Sequence, residues 1–365
     1  MVSLSKADRV LVVAPHPDDE SLGAGGLLQR MFAQRIPVRI VFATNGENNP
    51  WAQRYWDGRW RIGPDEQVHW GQRRRQEALN AICSLGGSPD CANFLDLPDL
   101  GITDLLMQGA RDLSVPLTEE IQEWEPTLAL IPTIFDAHPD HSALSVAFAR
   151  AIDSVGASSI QTWEYLVHHP QVPIPRKTLK LLLRTEEVER KRRAILCHET
   201  QVALSRRRFT SFARIEEAYY PHRPIDVTMD DSSPATARLH EGVLRLQFEV
   251  SLRQRFGSKI LIAFRSEGAN EHRWMLPVPL RSGKVHICDL IRDHRLNEAI
   301  MQWNGHKLFV DVPVPCAPDF EVLYAKLSSW TLFFDRSGWN RLAVRASRQE
   351  SFIPPAKMSG LATLL

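Results

Sequence analysis

The sequence predicts a doubly wound, mostly parallel α/β domain of Rossmann-like type over residues 1–220, followed by a β-rich, sandwich-like domain over residues 221–365. Two observations point there. In the first part, short apolar runs at 10–13, 38–43 (interrupted only by Arg39) and 128–131 alternate with helical stretches, the pattern of strands buried on both faces of a parallel sheet. Past about Pro221, apolar residues fall at alternate positions, as in Leu244, Leu246, Phe248 and Val250. Such segments are parted by Gly, Pro, Asn and Asp, without long helices between them.

Taken in order, residues 10–14 form the first strand, which runs directly into His16-Pro17-Asp18-Asp19-Glu20. Residues 22–32 read as a helix whose glycines allow close packing on the sheet, and 38–44 as a second strand ending in a polar turn. Residues 51–70 hold Trp51, Trp56, Trp60 and Trp70 among Arg, Gly, Asp and Pro, and read as a long loop. A helix follows at 73–85, a short strand at 93–97, a helix at 113–124 and a strand at 128–132. That strand leads to Asp136-Ala137-His138-Pro139-Asp140-His141 and a helix at 142–152. Residues 186–201 read as the helix closing the domain. Further strands are expected at 244–250, 260–264, 285–288, 308–314, 330–334 and 341–345, with a loosely ordered tail after Ile353.

A chain of 365 residues with 44% hydrophobic content suits two domains. The net charge of +1 argues against a general nucleic-acid binder and against a surface drawn to membranes by charge. Cys83, Cys91, Cys197, Cys288 and Cys316 are odd in number and never spaced C-x-x-C, which fits a reducing compartment and gives zinc no thiolate pair. The N-terminus lacks a cleavable apolar region, and no run approaches the ~20 apolar residues of a membrane span. A cytoplasmic protein without a transmembrane segment is expected.

The chemistry lies at the strand ends, where open parallel sheets carry their sites. His16 and Asp19, three residues apart in one turn, can reach a single ion, leaving Asp18 beside it as a free base. The cluster from Asp136 to His141 offers a further imidazole, and Asp140 is a natural partner to orient a histidine of that loop. Three N/O ligands with one position open are the pattern of catalytic zinc, and ferrous iron suits the same donors.

Both loops, in this order after apolar strands, resemble the PIG-L/LmbE family of zinc deacetylases acting on N-acetylated amino sugars. Arg74, Glu77, Pro98-Asp99, Lys191, Ala194 and Gln201 add to the likeness, which spans roughly residues 8 to 210. The resemblance implies an LmbE-like fold, zinc held by His16, Asp19 and His141, and Asp18 as general base. It also implies His138 over the reacting carbonyl, and Arg74 and Asp99 gripping the sugar. Some members carry a tyrosine where this chain has Asp136.

On that reading zinc makes hydroxide, Asp18 shuttles a proton to the departing amine, and a protonated His138 stabilises the oxyanion. Asp140 is the third residue expected in the catalytic group. The substrate is an N-acetylglucosamine-type unit of a glycoconjugate, with a lipid or phosphate linkage and a homo-oligomer both left open. The competing readings are an amidase cutting a larger acyl or thiol-conjugate amide, a non-catalytic glycan-binding protein, and a metallo-phosphoesterase, which would ordinarily need a second metal. Trp56 and its neighbouring tryptophans are either stacking platforms for sugar or packing residues. His168 and His169 are expected at the surface, and the basic runs 73–75, 191–193 and 206–208 as mostly solvated faces.

Overall fold

The computed structural model describes residues 4–169, 178–222, 235–265, 271–314, 322–329, 334–335, 338–343 and 345–346. The first unit opens with β1 (Val10–Ala14), α1 (Asp19–Ala33), β2 (Val38–Thr44), α2 (Pro50–Asp57), α3 (Pro64–Leu85) and β3 (Ala92–Leu97). It continues through α4 (Ile102–Gln108), α5 (Arg111–Trp124), β4 (Leu128–Pro132), α6 (Pro139–Ser154) and β5 (Gln161–Tyr165). It ends with β6 (Leu179–Leu182), α7 (Thr185–Leu196), α8 (Glu199–Val202), α9 (Arg206–Thr210) and β7 (Glu216–Pro221).

The strands form one sheet in the order β3-β2-β1-β4-β5-β7-β6. The first five are parallel, and β7 and β6 add an antiparallel edge. The chain winds outward from β1 to β3, then returns to lay β4 on the other side of β1. The crevice at such a reversal, outside the carboxyl ends of the strands, is where open α/β sheets bind ligands. All five residues of β1 are buried because helices cover both faces. Val10, Val12 and Ala14 pack with α1, α3 and α7, whereas Leu11 and Val13 pack with α4, α5 and α6. Each such side chain contributes roughly 1.5–3 kcal/mol of burial.

Residues 51–70 are helical where a loop was expected. The Asn49 side chain accepts from Ala52 N and Pro50 occupies the first turn of α2, which ends at Gly58 in a left-handed conformation. A second start signal follows at once: Pro64 opens α3 and Glu66 accepts from Gly63 N at 3.0 Å. The expected closing helix is two helices, parted at Cys197 and His198, because His198 turns inward to Glu20 at 3.0 Å.

The second unit contains β8 (Ala235–His240), β9 (Val243–Glu249), β10 (Lys259–Arg265), β11 (Glu271–Pro277), β12 (Gly283–Asp289), β13 (His294–Asn304), β14 (Lys307–Pro313), β15 (Val322–Ser328), β16 (Asn340–Ala343) and β17 (Arg345–Ala346). It is β-rich as expected, but its strands hydrogen-bond into one sheet rather than two facing ones. The order is β16-β15-β10-β11-β12-β13-β14-β9-β8-β17. The two edge strands, β16 and β17, are nearly contiguous in the chain, so the sheet curls until its edges meet. Closure of this kind removes exposed strand edges. Leu244, Leu246 and Phe248 point inward with Val310, Val312 and Ile262. Of the strand expected at 330–334, residues 330–333 fall outside the described residues and Phe334 is in no strand. The tail after Ile353 also falls outside them.

The outer face of β10 does not meet solvent. Leu261 and Ala263, with Tyr324 and Trp339, share a core with α4, α5 and α6 of the first unit.

Candidate active site

Three donor atoms converge where the loops after β1 and β4 meet. Asp19 Oδ2 lies 3.2 Å from His16 Nδ1 and 3.1 Å from His141 Nε2, and the two imidazole nitrogens are 3.3 Å apart. A tetrahedral ion bound at about 2.0–2.1 Å by such donors would hold them about 3.3 Å apart, so the triangle has the size that zinc requires. His16 follows β1, Asp19 begins α1 and His141 lies in the first turn of α6, so each donor is fixed by a rigid element. All three are buried.

The charge of the surroundings points the same way. Asp18, Asp19, Asp99, Asp136 and Asp140 are all buried here, with Arg74 as the arginine among them. Carboxylates buried at such density require compensating positive charge. Burial works against an imidazolium, yet Asp136 and Asp19 outweigh it and lift His141 to about 10. His16 is likewise raised against its burial by Asp140, Asp19 and Asp99. A cluster that would otherwise gather protons is chemically suited to a divalent cation.

Asp18 lines the cavity beside this triangle, a space of about 260 Å³. Its backbone sits at φ 145, a conformation that costs about 1–3 kcal/mol outside glycine and persists where neighbours enforce it. Burial pushes its carboxyl up to about 6, against the pull of Arg74. The buried Arg74 donates to Asp18 Oδ2 at 3.1 Å and to the carbonyls of Pro17 and Gly46 at 2.8 Å each. Gly46 has φ 64, and a Cβ there would lie 1.8 Å from Arg74 Nη1, so glycine is required for the guanidinium to pass. Arg74 borders the cavity, but the contacts it makes hold Asp18 and two loops in place.

Asp140 was expected to orient a histidine of its own loop. Instead its carboxylate accepts from Leu100 N at 2.7 Å and Ile102 N at 3.1 Å, and lies 3.4 Å from His16 Nε2. Asp136 takes the expected role. Its Oδ2 stands 3.2 Å from His141 Nδ1 and accepts from Val167 N and His168 N at 3.1 Å each, while Oδ1 accepts from His138 N at 2.9 Å. Asp99 Oδ1 lies 3.1 Å from His16 Nε2, and its other oxygen accepts from Asn48 N at 2.8 Å.

His138 borders the cavity too, but not as the expected imidazolium. Burial and the neighbouring His16 and His141 push it well below the usual imidazole range. Its Nδ1 accepts from Asp140 N at 3.3 Å, which leaves the proton on Nε2 and makes the neutral ring a donor.

Other expectations shift as well. Trp56 lies outside the cavity with Arg73 over its ring, whereas Trp51 lines it and Trp70 is buried. His169 is exposed as expected, but His168 reaches the cavity, its ring 4.9 Å from His141 and 5.4 Å from His138. Lys191 is a buried cation bonded to Glu217 at 2.5 Å and to Leu22 O at 2.9 Å rather than part of a solvated run. Arg208 borders the cavity, 3.4 Å from His168 Nδ1. Asp136 stood within the quoted motif and His168 a few residues past a strand end, but the partner of each lies across space.

The fold and site together define a Rossmann-like α/β domain whose strand-end loops assemble a His/Asp cluster able to hold a metal ion. Residues 11–152 match the family model described as PIG-L: GlcNAc-PI de-N-acetylase, so this part of the N-terminal unit is similar to the PIG-L/LmbE deacetylases. The chain is similar to a probable N-acetyl-alpha-D-glucosaminyl L-malate deacetylase 2 of Bacillus subtilis. The two are 31% identical over 151 residues, covering 40% of this chain and 61% of that protein's length. It is 25% identical over 248 residues to a 1D-myo-inositol 2-acetamido-2-deoxy-alpha-D-glucopyranoside deacetylase of Gordonia bronchialis, covering 54% of this chain and 85% of the relative. Among solved structures, a conserved protein of Thermus thermophilus aligns with a TM-score of 0.45 at 23% identity, over 62% of this chain and 99% of its own. No helix among the described residues is long and apolar enough to cross a membrane.

Proposed function

We propose that this protein is a zinc-dependent hydrolase that removes the N-acetyl group from an N-acetylglucosamine-type unit of a glycoconjugate, releasing acetate and a free amino sugar. The reading is carried by the triangle of His16, Asp19 and His141 donors with a separate carboxylate, Asp18, beside it in the same cavity. Both curated relatives described above are named as deacetylases of acetylated glucosamine derivatives.

A zinc ion on those three ligands would lower the pKa of a bound water to about 7 and supply a Lewis acid; ferrous iron would fit the same donors. Asp18 takes the proton of the attacking water and returns it to the amide nitrogen as the C–N bond breaks, so one carboxylate serves first as base and then as acid. Arg74 fixes that carboxylate through its 3.1 Å bond. His138, with Nδ1 engaged by Asp140 N, offers its Nε2–H to the developing oxyanion; a donor of this kind is typically worth about 10²–10³ in rate. Asp99, Asn48 and Trp51 border the same cavity and suit the hydroxyls and the apolar face of a sugar ring.

The test is acetate release from a panel of N-acetylated sugars and sugar conjugates by zinc-loaded wild type beside Asp18→Asn, Asp19→Ala and His141→Ala. The expected result is release by wild type alone, about one zinc per chain in Asp18→Asn, and loss of metal in the other two. Equal zinc content in all four proteins would overturn the ligand assignment, and no release by metal-replete wild type would overturn the deacetylase.

A further inference from the structure

We propose that Phe334, which comes from the C-terminal β-rich unit, sets the upper size of the acyl group the site accepts. The inference deepens the deacylase reading and rests on it. Phe334 follows β15 in the chain, far from either strand-end motif, yet its ring borders the cavity that holds Asp18 and His16. It stands 5.7 Å from the His138 ring, nearly perpendicular at 80°, and 5.0 Å from the His168 ring.

This placement is built rather than incidental. Asp335 N donates to Ala137 O and Trp339 N to Ile134 O, both at 2.9 Å, so these two residues are hydrogen-bonded onto the loop that leads to His138. Lys326, fully buried on β15, pairs with Asp335 at 2.9 Å and lies 3.4 Å from Ser142 Oγ, beside His141 in the chain. A Cβ on Gly338 would come within 2.0 Å of Ile134 O, so glycine is what lets the two backbones meet. Trp339, with no exposed surface, lies in the core shared by both units.

The acyl assignment follows from the chemistry. Asp18 must reach the departing nitrogen, so the amine component lies on the side of Asp18 and Arg74. His138 serves the carbonyl oxygen. The substituent on the other side of the carbonyl carbon is then directed away from Asp18, past His138 toward His168 and Phe334. An acetyl group asks for the room of one methyl there, whereas a longer chain runs up against the Phe334 ring, which stands at the cavity's edge with 38% of its surface exposed.

The experiment uses the zinc-loaded full chain as wild type, Phe334→Ala and Phe334→Trp. Competing N-acetyl- and N-hexanoylglucosamine should show the hexanoyl-to-acetyl ratio of kcat/KM rising at least tenfold in Phe334→Ala and falling in Phe334→Trp, with zinc content unchanged. Binding of acetohydroxamate and hexanohydroxamate, measured by calorimetry, asks the same question without turnover and should show the hexanoyl-to-acetyl affinity ratio rising in Phe334→Ala and falling in Phe334→Trp. Ratios equal to wild type would overturn the proposal, as would a fall in Phe334→Ala, which would make the ring a platform instead of a limit. If wild type hydrolyses neither sugar, the deacylase reading fails, and the hydroxamate ratio still decides whether Phe334 bounds the acyl side.

Discussion

Asp136 touches two backbone amides after β5, the amide of His138 and the imidazole of His141 with a single carboxylate. Asp136→Ala leaves His141 free to rotate and takes away the charge that makes its other nitrogen a better donor. Zinc affinity should drop about 10- to 100-fold, as it does when the partner of a ligating histidine is removed. Competition with a chromogenic chelator measures this, and unchanged affinity would return Asp136 to a purely structural role. Gly46→Ala is expected to act at a distance, driving Arg74 off Asp18 and lowering kcat while zinc content holds. At this scale the approach of His16 to Asp19 was legible because two side chains three residues apart need only one turn of chain to meet. Asp136 and His168 were not, because their partners are set by ring orientation and by which loops meet in space. Trp51 and Trp56 could not be told apart until α2 was known to be a helix, since helical phase decides which of them faces the cavity.

Helices α1 and α7 are tied together by Arg30 and Glu187, paired at 2.8 Å, and the bond to Arg30 holds Glu187 at about 2, well below the usual carboxylate range. A depressed carboxyl pKa stabilises the fold fully above the unfolded value of about 4.5 and loses that contribution as pH falls toward 2. Glu187→Gln should therefore be less stable than wild type at pH 7, and the gap should narrow at pH 3.5. Urea unfolding at the two pH values checks this, and a gap independent of pH would show that the pair's charge contributes nothing. On α2, Trp51→Ala should raise KM with zinc content and kcat little changed, while Trp56→Ala should leave all three near wild type. The strands were the most readable elements because parallel strands buried on both faces leave near-continuous apolar runs. The helix α2 was misread because its dense Trp and Arg resembled a loop, although Asn49-Pro50 carried the start signal.

The two units share one hydrophobic core, in which Leu261, Ala263, Tyr324 and Trp339 pack with α4, α5 and α6. Folding of one is thereby coupled to folding of the other, and thermal unfolding of the full chain should give a single calorimetric transition. Two resolved transitions would mean that this contact contributes little. Lys326→Met leaves Asp335 buried without its cation and should destabilise by about 3–5 kcal/mol, read from chemical denaturation. Local pattern sufficed for the alternation of strand and helix, for the β-rich second unit, and for a His/Asp site at the carboxyl end of β1, because hydrophobic period and i,i+3 spacing are properties of neighbouring residues. The curl of the ten-stranded sheet, the orienting of His141 by Asp136 instead of Asp140, and the arrival of Phe334 beside His138 depend on residues far apart in the chain, or on side-chain directions that no local pattern encodes. Those features exist only once the long-range packing is complete.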